Sequence, residues 1–312
     1  MISEKQTGLG SGLKLLFACL LLLLGGGTTF IIAAGPGGRD QNKIERLTFA
    51  VIGDSGTGEK PQFDIASQMV AARLKTPFDT VIMLGDNIYE GGKPQYFKPH
   101  FEDPYKDLLD AGVKFYAALG NHDAPYAAEH VKYPKFNMGG KRYYSFERNN
   151  GFVEFFALDT TEQDGASMSE TQLKWVKDAL SSSKAYWKIV YFHHSIYSSG
   201  KMHSPYLKLR SQLEPLFVEY KVNVVFSGHF HVYERLKPQK GIQYYVAGSG
   251  GKLMRGNLNR NSEVFATGND QVQIFLLSEI EGREMVVTAI DLSGKVVDRS
   301  RVSRESIVEA AK

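Results

Sequence analysis

Cysteine is almost absent from this sequence, and its charges nearly balance. Only one of the 312 residues is a cysteine, so an intrachain disulfide and every zinc-finger spacing are excluded. Lysine and arginine number 37 and aspartate and glutamate 34, a net charge of +3, which gives no electrostatic argument for nucleic acid as a partner. Hydrophobic residues make up 43% and charged residues 23%. These values exclude wholesale disorder and a coiled coil.

A long uncharged segment follows Lys14. Residues 15–38 contain no acidic or basic side chain, and their apolar stretch is about 20 residues long, enough to span a bilayer. The segment predicts that residues 1–34 are a cleaved signal peptide or an uncleaved membrane anchor, followed by a flexible tether at 35–45. We therefore expect an exported protein, which is periplasmic, secreted or membrane-anchored with its folded domain outside the cytoplasm.

Strand-length apolar runs alternate with helix-length amphipathic segments in the rest of the chain, a pattern typical of an α/β domain. The asparagine and glycine at 150–151 predict a hairpin within 142–159, and Pro215 is expected to kink or split the last helix. We predict one domain over 46–304 with a tail at 305–312. The predicted strands are 47–53, 80–85, 114–119, 187–193, 222–227, 271–279, 283–290 and 295–302, and the predicted helices are 61–74, 170–180 and 205–220.

Five of these strands end in side chains that bind metals. In open α/β sheets the carboxyl ends of strands form ligand sites, so we expect these side chains to lie together. A single strand that ends in aspartate would prove nothing, but five such ends are hard to assign to chance. The residues at or just after the strand ends are Asp54, Asp86, Tyr89, Asn121, His122, His193, His229 and His231.

The residue types suit a site for two metal ions. A carboxylate such as Asp86 bridges neighbouring ions, and the amide oxygen of Asn121 limits the negative charge at one of them. Tyr89 is the distinctive member, because a phenol has a pKa near ~10 and binds as phenolate at mild pH only to a strongly polarising ion. This argues for Fe(III) at one position, while imidazole and carboxylate ligands also accept Fe, Zn or Mn.

These motifs, in this order, resemble the five-motif signature of the purple acid phosphatases, a branch of the calcineurin-like metallophosphoesterases. The wider superfamily usually has a histidine where Gly56 stands, and Tyr89 supplies the missing ligand, as in the purple branch. The resemblance covers about 46–251 and implies an α/β fold: a four-layer α/β/β/α sandwich of two mixed sheets flanked by helices. Its motifs here are Gly53–Gly56, Gly85–Tyr89, Gly120–Asp123, Val190–His193 and Gly228–His231.

The resemblance also implies a role for each residue. Fe(III) is bound by Asp54, Tyr89 and His231. A divalent ion, either Fe, Zn or Mn, is bound by Asn121, His193 and His229. Asp86 bridges both ions. His122 contacts the phosphate or the leaving group, and His203 is a second such histidine, displaced by one residue from the family spacing.

The implied activity is that of an acid phosphatase, which hydrolyses phosphate monoesters by attack of a metal-bound hydroxide. The substrate is a small phosphate monoester or a phosphoprotein, and we expect a monomer with no nucleic-acid partner. A phosphodiesterase with the same binuclear site is the alternative, and a degenerate membrane-tethered binding protein is the less favoured one. The remaining histidines have simpler expectations: His194 is structural or supports a ligand, and His100 and His130 lie at the surface.

Overall fold

The computed structural model describes residues 45–163 and 166–304. The predicted leader at 1–34, the tether up to residue 44 and the tail at 305–312 therefore lie outside the described residues. Within the described part of the chain, no helix is long and apolar enough to cross a membrane.

The strands form two mixed sheets. The first sheet has six strands in the order β13-β12-β11-β1-β2-β3, and the second has seven in the order β10-β8-β9-β7-β6-β5-β4. Their bounds are β1 (Arg46–Ile52), β2 (Thr80–Met83), β3 (Lys114–Ala117), β4 (Tyr144–Arg148), β5 (Val153–Ala157), β6 (Trp187–Phe192), β7 (Val224–Ser227), β8 (Tyr233–Leu236), β9 (Gln243–Ala247), β10 (Phe265–Asn269), β11 (Ile274–Glu281), β12 (Glu284–Asp291) and β13 (Val296–Ser303).

Parallel pairing occupies the centre of each sheet. Strands β1, β2 and β3 run parallel, with Ala50 opposite Val81, and β5, β6, β7 and β9 run parallel in the second sheet, with Ile189 opposite Val224. The remaining pairs are antiparallel, including the predicted hairpin of β4 and β5. The parallel strands are buried almost throughout, which explains their nearly continuous apolar sequences.

Helices cover the outer face of each sheet. The first helix packs on β11 and β12, and the fourth and fifth pack on each other and share an apolar cluster with the second sheet. This arrangement confirms the predicted sandwich of two mixed sheets flanked by helices. The helices are α1 (Lys60–Lys75), α2 (Lys106–Asp110), α3 (Ala127–His130), α4 (Glu170–Ser182) and α5 (Leu207–Glu219).

The two sheets pack face to face through aromatic side chains. The ring of Phe49 in β1 meets Phe155 of β5 edge-on at 5.0 Å between centroids and Phe226 of β7 at 6.2 Å. All three are fully buried, and edge-to-face aromatic pairs add about 0.5–1.5 kcal/mol each beyond their buried area. This core fixes β1, β5 and β7 relative to one another.

The expected split at Pro215 is wrong. Residue 215 lies inside α5, which runs unbroken. Leu209, Leu213 and Phe217, on both sides of the proline, are completely buried. Their packing outweighs the hydrogen bond that proline cannot make.

Candidate metal centre

Four of the predicted ligands lie on backbone in the left-handed region. The φ angles are 52° at Asp54, 51° at Asp86, 73° at His229 and 52° at His231. Such a conformation costs a non-glycine residue about 1–2 kcal/mol and persists only where the surroundings hold it. Here the Asp54 amide donates to the Gly85 carbonyl at 3.0 Å, and the His229 amide donates to Asp54 Oδ2 at 2.9 Å. The sharp turns bring the side chains together at one edge of the sheets.

Two glycines permit this close approach. A Cβ atom on Gly120 would lie 2.1 Å from the Asp86 amide nitrogen, and one on Gly228 would lie 2.4 Å from Asp54 Oδ2. Both distances are shorter than any real contact, so only glycine fits. The turns after β3 and β7 therefore pack directly against the two carboxylates.

The phenol of Tyr89 lies among three of the predicted ligands. Its oxygen is 2.8 Å from Asp86 Oδ2, 3.2 Å from His231 Nε2 and 3.4 Å from Asp54 Oδ1. His231 Nε2 is also 3.3 Å from Asp54 Oδ1. The structure thus brings together the set predicted for Fe(III).

A second set converges around the amide of Asn121. Its Oδ1 lies 2.9 Å from His193 Nε2 and 3.1 Å from His229 Nδ1, and the two ring nitrogens are 3.2 Å apart. These are the three residues predicted for the divalent ion.

Asp86 lies between the two sets. Its Oδ2 is 2.8 Å from the Tyr89 oxygen and 3.6 Å from His193 Nε2. Its Oδ1 accepts the backbone N–H of His122 at 2.9 Å. This carboxylate therefore reaches both sets, as a bridging ligand must.

The donor atoms fit metal ions. His193 Nδ1 lies 2.9 Å from the Leu84 carbonyl and donates to it, so Nε2 of the neutral ring carries a lone pair. That lone pair faces the Asn121 oxygen, and a proton or a metal ion between the two atoms would relieve their repulsion. Asp54 and Asp86 are 0% and 1% exposed, and among the described residues no lysine or arginine forms an ion pair with either carboxylate. Buried carboxylates require a positive partner, which a metal supplies.

The pKa shifts in the protein alone show how strongly the two buried carboxylates attract positive charge. Burial, followed by the charges of Asp54 and Asp86, raises the pKa of Tyr89 well above its usual value. Burial lowers the pKa of His193, but the same two carboxylates outweigh it and the net shift is upward. Burial and the neighbouring histidines lower the pKa of His229, which keeps its ring neutral and able to bind a metal. Deprotonation of Tyr89 near neutral pH therefore requires a strongly polarising cation.

The buried carboxylate of Asp123 holds two of the ligand turns together. Its oxygens accept from the backbone N–H groups of Asn87, Ile88 and Gly120 at 2.9–3.1 Å and from the Asn87 amide at 2.9 Å.

His130 lies 3.6 Å from the Asp123 carboxylate and is fully buried. The surface position predicted for His130 is wrong, because its Nε2 bonds the Gly92 carbonyl at 2.8 Å and that contact draws the ring inside.

His194 lies beside the ligands, in the supporting position predicted for it. Its Nδ1 is 2.8 Å from Thr160 Oγ1, and its ring centroid is 5.0 Å from that of His193 and 4.7 Å from that of His229. Burial and the nearby His193 lower the pKa of His194 to about 2. The ring is therefore neutral and adds no positive charge beside the ions.

Two residues near the centre escaped the sequence analysis. The hydroxyl of Tyr206 lies 2.8 Å from His229 Nε2, and the ammonium of Lys252 lies over the Tyr89 ring, 4.8 Å from its centroid. Neither stands at the end of a predicted strand. The one available signal was for Lys252, which directly follows the glycine-rich turn at 248–251.

The two histidines predicted to contact the phosphate or the leaving group lie beside different ligand sets. The ring of His122 is 4.6 Å from that of Tyr89, whereas the exposed ring of His203 is 4.6 Å from that of His229. One histidine thus lies beside each ligand set.

Comparison with known proteins identifies the family. A model of the calcineurin-like phosphoesterase family matches residues 47–233. Purple acid phosphatase 17 of Arabidopsis thaliana is 32% identical over 68% of this chain and 71% of its own length. Tartrate-resistant acid phosphatase type 5 of Sus scrofa is 28% identical over 83% of this chain and 88% of its own length.

A solved structure agrees in fold. The purple acid phosphatase PPD1 from yellow lupin (Lupinus luteus) seeds superimposes with a TM-score of 0.71 at 20% identity, covering 85% of this chain and 55% of that one. Together with the two ligand sets described above, these similarities show that the chain belongs to the calcineurin-like phosphoesterases and, within them, to the purple acid phosphatases, a group of hydrolases.

Proposed function

We propose that this protein is an exported acid phosphatase that hydrolyses phosphate monoesters with a binuclear metal centre. The supporting observation is the convergence, from both sheets, of seven ligand-type side chains around two buried aspartates that form no ion pair with a lysine or arginine among the described residues. Asp54, Tyr89 and His231 hold Fe(III), and Asp86 holds both ions. The divalent ion, Fe, Zn or Mn, is held by Asn121, His193 and His229.

The protein's own groups perform the remaining tasks. Two bound cations supply Lewis acidity, which neutralises charge on the phosphate oxygens and lowers the pKa of water. His122 or His203 protonates the departing alkoxide. The bond from the His122 amide to Asp86 keeps that histidine beside the bridging carboxylate.

Two alternatives make different predictions. A phosphodiesterase would use the same ligands, and the ratio of rates on aryl mono- and diesters separates it from a monoesterase. A degenerate binding protein would lack a ligand, whereas all seven are present in the sequence. The substrate we propose is a small phosphate monoester or a phosphoprotein, acted on by a monomer.

Export rests on the leader at 1–34, whose uncharged run follows Lys14. Fractionation of cells that express a tagged chain checks it: the domain should be found outside the cytoplasm, in the medium, the periplasm or the membrane fraction. Cytoplasmic protein with an intact leader would contradict the proposal.

A substitution of Asp86, the carboxylate proposed to bind both ions, tests the proposed activity. Wild-type protein loaded with iron and zinc should hydrolyse nitrophenyl phosphate faster than its diester. Asp86→Asn should lose both metal pairing and activity, by ~10²–10³ or more, because both ions depend on that carboxylate. Asp79→Asn, an exposed carboxylate elsewhere, is the matched control and should behave as wild type. Full activity in Asp86→Asn would overturn the site assignment.

Proton donation by His122 has its own signature. His122→Ala should retain both metals but lower turnover by ~10²–10⁴ on alkyl phosphates. The loss should be smaller on nitrophenyl phosphate, whose leaving group needs little protonation. Equal losses on the two substrates would refute the acid role and leave phosphate binding.

A further inference from the structure

A single loop brings two side chains to the divalent-ion ligand His229. Residues 198–206, which we call the His203 loop, place the ring of His203 4.6 Å from that of His229. At the end of the loop, the hydroxyl of Tyr206 lies 2.8 Å from His229 Nε2. The position of this loop therefore decides whether His203 reaches a leaving group.

The side chain of Asn257 joins this loop to the turn that carries the ligands. Its Oδ1 accepts the backbone N–H groups of Lys201 and Met202, each at 2.9 Å. Its Nδ2 donates to the carbonyl of Phe230 at 2.9 Å, and Phe230 stands between the ligands His229 and His231. Asn257 is 2% exposed, so water cannot readily replace these bonds.

The start of the loop has no freedom to move closer to that turn. A Cβ atom on Gly200 would lie 2.1 Å from the Phe230 ring, and the Ser199 amide donates to the buried carboxylate of Glu234 at 3.0 Å. Met202, the residue just before His203, is held by Asn257 Oδ1. Asn257 thus forms the last side-chain anchor before His203.

We infer that Asn257 is a positioning residue that holds His203 over the divalent-ion side of the centre. The inference rests on the proposed function, in which His203 protonates the leaving group. Without the amide, Met202 loses its anchoring bond and the link to Phe230 is lost. Lys201 keeps only the bond from its N–H to the Asn257 backbone carbonyl, at 2.8 Å, so His203 is held less firmly.

A double-mutant cycle measures whether Asn257 acts through His203. Asn257→Ala should lower turnover on alkyl phosphates by ~10-fold or more and less on nitrophenyl phosphate, with metal content unchanged. In a His203→Ala background it should cause almost no further loss. Asn259→Ala removes an exposed amide of the same segment, whose Oδ1 accepts from the nearby Asn261 amide, and serves as control. Losses that multiply fully in the double variant would overturn the inference.

Proteolysis tests the anchor without relying on activity. Lys201 is exposed and offers a cleavage site for endoproteinase Lys-C within the loop. Cleavage after Lys201 should be at least ~10-fold faster in Asn257→Ala than in wild type or Asn259→Ala, because local opening becomes easier. Unchanged cleavage would overturn the inference.

Two further outcomes separate the inference from the function on which it rests. If wild-type protein with both metals shows no phosphatase activity, the proposed function fails, while the cleavage rates still report whether Asn257 holds the loop. If Asn257→Ala does not fold, Asn257→Asp keeps the acceptor for Lys201 and Met202 but cannot donate to Phe230. It should then show an intermediate cleavage rate, and a wild-type rate would count against the inference.

Discussion

Gly56 lies against the backbone of the turn that carries Tyr89. A Cβ atom at this position would be 1.9 Å from the carbonyl oxygen of Asn87, and the Gly56 carbonyl accepts the Tyr89 amide at 2.8 Å. A histidine at residue 56 would push the two turns apart. Glycine at this position and the tyrosine ligand are therefore one structural feature, since the missing side chain is what allows the phenol to approach Asp54.

The visible absorption of the protein tests whether the phenol of Tyr89 binds Fe(III). If Tyr89 binds Fe(III) as phenolate, the oxidised protein should absorb broadly in the visible. Tyr89→Phe should lose that band while it retains some metal, because the other ligands remain. Visible spectra with metal analysis check this, and Tyr206→Phe should keep the band because Tyr206 contacts the divalent-ion ligand His229 instead. A colourless wild type with two zinc or two manganese ions would contradict the Fe(III) assignment.

At this scale the sequence predicted the side chains at strand ends and missed those on loops. The residues around Asp86 could be predicted from the sequence because parallel strands place their carboxyl ends at one edge of the sheet. Tyr206 lies at the start of the last predicted helix and Asn257 lies in an irregular loop, and neither position has a pattern from which to infer a contact. His130 was misplaced because no pattern predicted the short helix α3, at whose end it lies.

Among elements, the predicted strands begin and end within about three residues of the observed ones, while β8, β9 and β10 were not predicted. Strand β8 carries Glu234, which is fully buried because Ser198 and Ser199 donate to it, so its sequence looks like a loop. In α1 the sequence spacing predicts an apolar face formed by Phe63, Ala66, Val70 and Leu74, but Leu74 is 79% exposed. The buried face is shifted by one position and begins at Gln62, whose amide is satisfied by the Gly58 amide and the His100 carbonyl.

The start of α5 provides a prediction about metal affinity. Tyr206, at the N-cap of this helix, accepts from His229 Nε2 when that ring binds a metal through Nδ1. Such supporting partners usually contribute ~10–100-fold to metal affinity, so Tyr206→Phe should weaken the divalent site by about that factor. Competition with a chelator measures it, and Tyr220→Phe, at the other end of the helix, is the matched control. Equal affinities in both variants would show that the hydroxyl does not orient His229.

In the whole molecule, the centre lies where the two sheets meet. Asp54, Asp86 and Asn121 follow strands of the first sheet, whereas His193 and His229 follow strands of the second. Hydrogen bonds also cross between the sheets here, because the His229 amide donates to the Asp54 carboxylate and the Lys252 amide donates to the Asp54 carbonyl. Metal binding would therefore tie the sheets together at an edge where buried carboxylates otherwise face each other.

Removal of the metals should consequently lower the stability of the entire domain. A ligand that binds only the folded state at about 1,000 times its Kd adds about 4 kcal/mol, which corresponds to roughly 10 °C in Tm for a domain of this size. Calorimetry of the loaded and the chelator-stripped protein measures the difference, and adding metal back should restore it. Asp86→Asn should show a much smaller difference, while Asp79→Asn should match wild type. Equal midpoints for stripped and loaded wild type, with metal content verified, would mean that these side chains do not bind metal across the two sheets.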